Sequence, residues 1–175
     1  MSKISKIRAR QVFDSRGNPT IEAEVHSKKL SASAICPSGA STGTYEAFEK
    51  RDTKNKRYLG KSVFSAINLI NTKISKKLSG TNIHDQVRID TTLINLDGTR
   101  QKTNLGANAI LAVSMAAKKL SAKIKNVPLY KTFLVKNKYR LPYPLMNIIN
   151  GGAHANNGLR IQEFMIRPDK AKSFS

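Results

Sequence analysis

Between Asp97 and Asp169 the sequence holds one carboxylate, Glu163, set inside the apolar run Ile161-Gln162-Glu163-Phe164-Met165-Ile166. An acid among apolar residues needs a partner or a task, because burying an unpaired charge is costly. Nine residues earlier, His154 follows the pair Gly151-Gly152 at a break between two apolar stretches. Glycines there let the backbone approach a ligand closely. A histidine and a glutamate so placed suit hydrogen-bonded structure as well as proton chemistry, and their local spacing leaves both readings open.

A second candidate is Ser38-Gly39-Ala40-Ser41-Thr42-Gly43, six small residues after Pro37 that form neither a stable strand nor a helix interior, so a loop is expected. It does not satisfy the dinucleotide fingerprint, since the residue two after Gly39 is Ser41. Gly60-Lys61-Ser62 ends like a phosphate loop, but the first glycine is replaced by Asn55. The single cysteine, Cys36, excludes an intramolecular disulfide framework, fits a reducing compartment and reads as a small core residue.

The elements that must carry these residues follow from periodicity. Thr20 to Val25 alternates apolar residues with acids, the period of a strand with one wet face. Ile7 to Phe13 is a second strand, joined to it through the turn formers Asp14 to Pro19, and Ser31 to Cys36 is a third. Leu59, Val63, Ile67, Ile70, Ile74 and Leu78 then predict an amphipathic helix stopped by Gly80. A second helix fits Ile83 to Leu96, ended by Asp97-Gly98, and a third, Ala-rich, fits Asn108 to Lys123 as the buried centre of a bundle. Pro142 and Pro144 mark a linker, and Leu145 to Ile149 and Ile161 to Ile166 read as two further strands. These lack parallel neighbours, so a second domain that is cut short is expected from residue 141, after a first domain over 1–140.

With 31 Lys and Arg against 11 Asp and Glu the formal charge is +20, against about 2 to 8 for a small soluble domain. Lys118, Lys119, Lys123, Lys125, Lys131, Lys136, Lys138 and Arg140 fall in the acid-free stretch. They read as a solvated face or, in a non-catalytic alternative, as a module for nucleic acid or another polyanion. No RNP-type, zinc or helix-turn-helix pattern accompanies them. The longest apolar stretch, Leu105 to Ala117, is too short to span a bilayer, and Met1 to Arg8 is not followed by a signal-type apolar run. No membrane partner is expected, and the cytoplasm is the default location.

Taken together, DSRGNPT at Asp14 to Thr20, PSGASTG at Pro37 to Gly43, RYLGKS at Arg57 to Ser62, LDGT at Leu96 to Thr99, LGANAIL at Leu105 to Leu111, NIINGGAHA at Asn147 to Ala155 and IQEFMI at Ile161 to Ile166 resemble, in that order, the enolase family. The resemblance implies an α+β capping domain, a three-stranded antiparallel sheet plus helices, followed by the first strands of a truncated α/β barrel. It also implies a cytoplasmic glycolytic lyase acting on 2-phosphoglycerate and phosphoenolpyruvate, a homodimer with two Mg2+ per active site. Ser41 is then a metal ligand on a mobile loop with Gly39, Ala40, Thr42 and Gly43. His154 lies on a second mobile loop with Gly151 and Gly152, near the phosphate and leaving group. Gln162 and Glu163 contact substrate, with Glu163 and His154 serving the acid–base step. The base lysine, the proton-donor glutamate, the phosphate arginine and the first-site carboxylates belong to the part of the barrel these residues do not include, so the 175-residue chain is expected to be inactive alone. Arg160 and Thr44 depart from the family pattern, as does the positive charge.

Because the basic stretch carries no base-reading motif, DNA or RNA affinity in a filter-binding titration should vanish near physiological salt and show no base preference. Sequence discrimination at that salt would promote the polyanion-binding alternative.

Overall fold

The computed structural model describes residues 2–39, 42–54, 56–133, 141–171 and 173. They divide into two compact units. The first holds the described residues up to 38 and from 44 to 133, and the second holds those from 141 onward with Gly39, Thr42 and Gly43. The boundary expected near residue 140 lies outside the described residues.

The first unit opens with β1 (Lys6–Phe13), β2 (Pro19–Ser27) and β3 (Leu30–Cys36), antiparallel in the order β1-β2-β3. Alternation works as read: Ile21, Ala23 and Val25 are fully buried, while Glu22 stands opposite Arg10 and forms an ion pair with it. The polar connection is tied by Asp14, whose carboxylate accepts the amides of Arg16 and Asn18, both at 2.9 Å.

The helix expected from Leu59 starts later. Tyr58 and Leu59 have left-handed backbones in a short 3-10 turn, and Leu59 is 91% exposed rather than core. Helix α1 is Phe64–Leu69, and both Asp52 carboxylate oxygens cap it by accepting the amides of Phe64 and Ser65 at 2.8 and 3.1 Å. A π turn, Ile70–Ile74, leads into α2, Ser75–Leu78. From that turn the Asn71 amide reaches the open edge of β1, accepting from Ala9 N–H at 2.7 Å and donating to Ala9 C=O at 3.2 Å.

Helix α3 (Gln86–Asp97) begins after Ile83 because Asp85 is its N-cap, accepting from the Arg88 amide at 3.0 Å. It stops, as expected, at Gly98, whose φ is +72°. Helix α4 (Ala107–Ile124) is buried as expected, but against β2 and β3 rather than inside a bundle. Its face is built from Ala109, Ala112, Val113, Ala116 and Leu120, all fully buried. Part of the basic stretch is internally engaged: the Lys119 and Lys123 ammoniums donate to the Ser33 and Ser31 carbonyls of β3, and Lys118 lies 5.1 Å from the Phe133 ring centre. No helix among the described residues is long and apolar enough to cross a membrane.

In the second unit, β4 (Met146–Asn150) and β5 (Glu163–Ile166) pair with each other, antiparallel, with a bulge between Asn147 and Ile149. The two runs read from the sequence thus become a hairpin, and β5 begins two residues later than expected.

Asp97 is 2% exposed and joins α3 to the segment before α4. Its carboxylate accepts the amides of Leu105 at 2.7 Å and Thr99 at 3.0 Å, and the Thr99 hydroxyl. Burial works to raise its pKa, but these hydrogen bonds and Lys102 outweigh that and hold it below the usual aspartate value. A depressed folded value means a contribution present in full above the unfolded aspartate range and lost as pH falls through the folded value. Asp97→Asn should therefore cost about 1–3 kcal/mol at neutral pH and flatten the loss of stability below about pH 4, as read by denaturant melts across pH.

Candidate active site

Register places Asn150 opposite Glu163 at the end of the hairpin, and the connection between them folds back on itself. The amides of Gly151, Gly152 and His154 donate to the carbonyls of Gln162, Leu159 and Gly151 at 2.9, 2.7 and 3.0 Å. The Asn157 side chain braces the same loop, donating to Asn150 C=O at 2.8 Å and accepting from the Leu159 amide at 3.2 Å. A Cβ on Gly151 would come within 2.5 Å of the Ile161 carbonyl oxygen, so that position has no room for a side chain. Gly152 has φ +55°, the left-handed region glycine favours.

This loop sets three predicted residues in a row. His154 Nδ1 is 2.9 Å from Glu163 Oε1, and His154 Nε2 is 3.0 Å from the Gln162 amide nitrogen. The His154 and Glu163 side chains are 27% and 28% exposed, so both are within reach of a ligand. With the Gln162 amide N–H donating to Nε2, the ring proton sits on Nδ1 and is donated to Glu163. The row holds the imidazole from both ring nitrogens, with the carboxylate on one side and the amide on the other.

Of the glycine-rich loop, Ala40 and Ser41 lie outside the described residues. Its root at Ser38 belongs to the first unit and is fastened by an arginine that sequence reading did not single out. Arg51 donates from one terminal nitrogen to the carbonyls of Pro19 and Lys61, and from the other to the Ser38 hydroxyl and to Glu49 at 2.8 Å. Ser38 in turn donates to Glu49 at 2.6 Å, and its carbonyl accepts from Arg16 at 2.8 Å. Apart from Glu49, two residues away, the acceptors lie in distant segments, so no spacing rule in the sequence would have found them. Cys36 is buried, and burial with the charge of Glu49 pushes its thiol up to about 11, which keeps it protonated and unreactive.

Magnesium needs several oxygen ligands. Among the described residues no three His, Cys, Asp or Glu side chains stand together to hold a metal ion.

A small sheet covered by helices, followed by a hairpin that carries a polar row at its end, defines an α+β capping domain joined to the opening strands of a barrel. Residues 4–133 match the enolase N-terminal domain and residues 138–175 match the enolase C-terminal TIM barrel domain. The chain belongs to the enolase family. It is 90% identical over all 175 residues to an enolase of Pelagibacter ubique, covering 42% of that protein. It is 53% identical over 172 residues to the enolases of Methanosarcina mazei and Methanosarcina acetivorans, covering 40% of each. The chain thus spans about two fifths of the length of these curated relatives.

Because Gly151 has no space for a side chain, Gly151→Ala should push the 159–161 segment away and separate His154 from Glu163. Nuclear Overhauser contacts between the His154 ring and the Glu163 side chain should disappear, with a local cost of about 1–3 kcal/mol. Their persistence would show that the loop absorbs the methyl group.

Proposed function

We propose that these residues form the N-terminal part of a phosphopyruvate hydratase, a glycolytic lyase that interconverts 2-phosphoglycerate with phosphoenolpyruvate and water. The observation that carries this reading is the hydrogen-bonded row Gln162–His154–Glu163 at the end of the hairpin. Losing hydroxide from a phosphorylated acid calls for groups that hold and hand on a proton beside the leaving group. In this reading Gln162 orients the imidazole, His154 faces the phosphate and the departing hydroxyl, and Glu163 keeps the ring in register and supports the acid–base step. Ser41, which lies outside the described residues, would serve as a ligand to one of two magnesium ions, whose positive charge would stabilise the developing dianion. The working enzyme is a cytoplasmic homodimer, and the 175 residues alone do not turn over substrate.

A chimera in which these residues replace the corresponding segment of the Pelagibacter enolase tests the reading. It should dehydrate 2-phosphoglycerate, while Glu163→Gln or His154→Ala in the chimera should lower kcat by about 10²–10⁴-fold. The isolated chain should show no turnover with or without Mg2+. Variants that keep the chimera's kcat would remove the acid–base role.

A further inference from the structure

Three side chains form a closed ring at Ser38, the last residue of the first unit before the glycine-rich loop. The Ser38 hydroxyl donates to Glu49 Oε1 at 2.6 Å. One terminal nitrogen of Arg51 donates both to that hydroxyl and to the same carboxylate oxygen, the latter at 2.8 Å. The Ser38 carbonyl is held separately by the Arg16 guanidinium at 2.8 Å. Ser38 is thus fixed through its side chain and its backbone at once, by contacts that carry charge and are stronger than neutral ones.

The ring stands on rigid elements, because both chain neighbours of Arg51 are tied to helices. On one side the Asn108 side chain, near the start of α4, grips Lys50 twice, accepting its amide at 3.1 Å and donating to its carbonyl at 3.0 Å. On the other side the Asp52 amide donates to the Ser62 carbonyl at 2.8 Å, while its carboxylate caps α1. The second terminal nitrogen of Arg51 is anchored on the Pro19 and Lys61 carbonyls. Arg51 therefore reaches Ser38 with its own position already set. A half-buried serine hydroxyl can be satisfied by water, so stability alone does not require a guanidinium and a carboxylate to hold it. Placement does, since the conformation held at Ser38 sets the direction in which the chain leaves the first unit.

We propose that Arg51 is a positioning residue for the reaction: acting through Ser38, it sets how the chain enters the glycine-rich loop, with Asn108 and Asp52 as its footing. The effect on turnover rests on the function proposed above, whereas the placement of Ser38 does not. Arg51 touches no substrate in this role.

The test uses the chimera with the Pelagibacter enolase. Ser38→Ala removes the link to the loop and leaves the bonds from Arg51 to Pro19, Lys61 and Glu49 in place. Amide hydrogen exchange read by mass spectrometry should quicken about tenfold across residues 37–43, the equivalent of one charge-assisted contact. Exchange across 19–27 and 61–69 and the unfolding midpoint should stay nearly unchanged. The kcat/KM for 2-phosphoglycerate should fall about 10- to 100-fold, as for a misplaced active-site segment. Ser38→Thr, which returns the hydroxyl, should bring exchange and kcat/KM back close to wild type. Arg51→Lys keeps the charge and loses the fork; it should quicken the same exchange, and add nothing further in the Ser38→Ala background because both act through one contact. Unaltered exchange across 37–43 in Ser38→Ala, or additive effects of the two substitutions, would overturn the inference. Faster exchange with an unchanged kcat/KM would overturn the assignment to the reaction. An inactive wild-type chimera would instead remove the proposed function, with hydrogen exchange still deciding the placement of Ser38.

Discussion

A helix lies close on a sheet only where the residues between them are small. In this chain that condition is met from both sides, by Ala109, Ala112, Ala116 and Ala117 on α4 and by Ala23 and Ala34 on the strands beneath. Close approach brings the stems of Lys119 and Lys123 down to β3, where their ammoniums occupy carbonyls a further strand would otherwise use. At the other edge Asn71 does the same for β1. A sheet of three strands is thereby kept from growing, and some of the positive charge that dominates the composition has a structural use.

The first unit also gathers motifs that look unrelated in the sequence. Pro19 ends the DSRGN turn, Ser38 opens the glycine-rich loop and Lys61 lies in the GKS tripeptide, and one guanidinium, that of Arg51, bonds to all three. Each acceptor satisfied here is a polar group that β-pairing leaves over. The family motifs at these places thus include a shared internal fastening, which gives residues with no chemistry of their own a physical reason to be as they are.

What could be read from the sequence divides along the same line. The alternation of β2, the glycine stop of α3 and the apolar face of α4 follow from local pattern, and all appear in the fold. The apolar spacing places a helix start at Leu59 where there is none, because the residue that caps α1, Asp52, stands twelve positions before Phe64, while Tyr58 and Leu59 adopt a backbone that hydrophobic spacing does not report. An Ala-rich helix packs equally well on helices or on a sheet, so its partner was not legible. The same holds for the two late strands, whose apolar runs say that they pair but not with what. At the candidate site the residue types His154 and Glu163 were visible as a pair needing explanation. The link through Gln162 was not, because it depends on a loop held by Asn157 and on the close approach at Gly151.

The π turn between α1 and α2 has a consequence for how this segment can vary in length. A wide turn of this kind accommodates an extra residue without breaking the helix. Removing one residue from 70–74 would return the segment to ordinary α geometry and leave Ile74 and Leu78 on their buried face, whereas the same deletion from a regular helix would rotate everything after it by about 100°. The irregularity works as a spacer that holds one residue of slack while both halves of the helix stay in phase with the same sheet, so length can change by one residue here where a regular helix could not tolerate it.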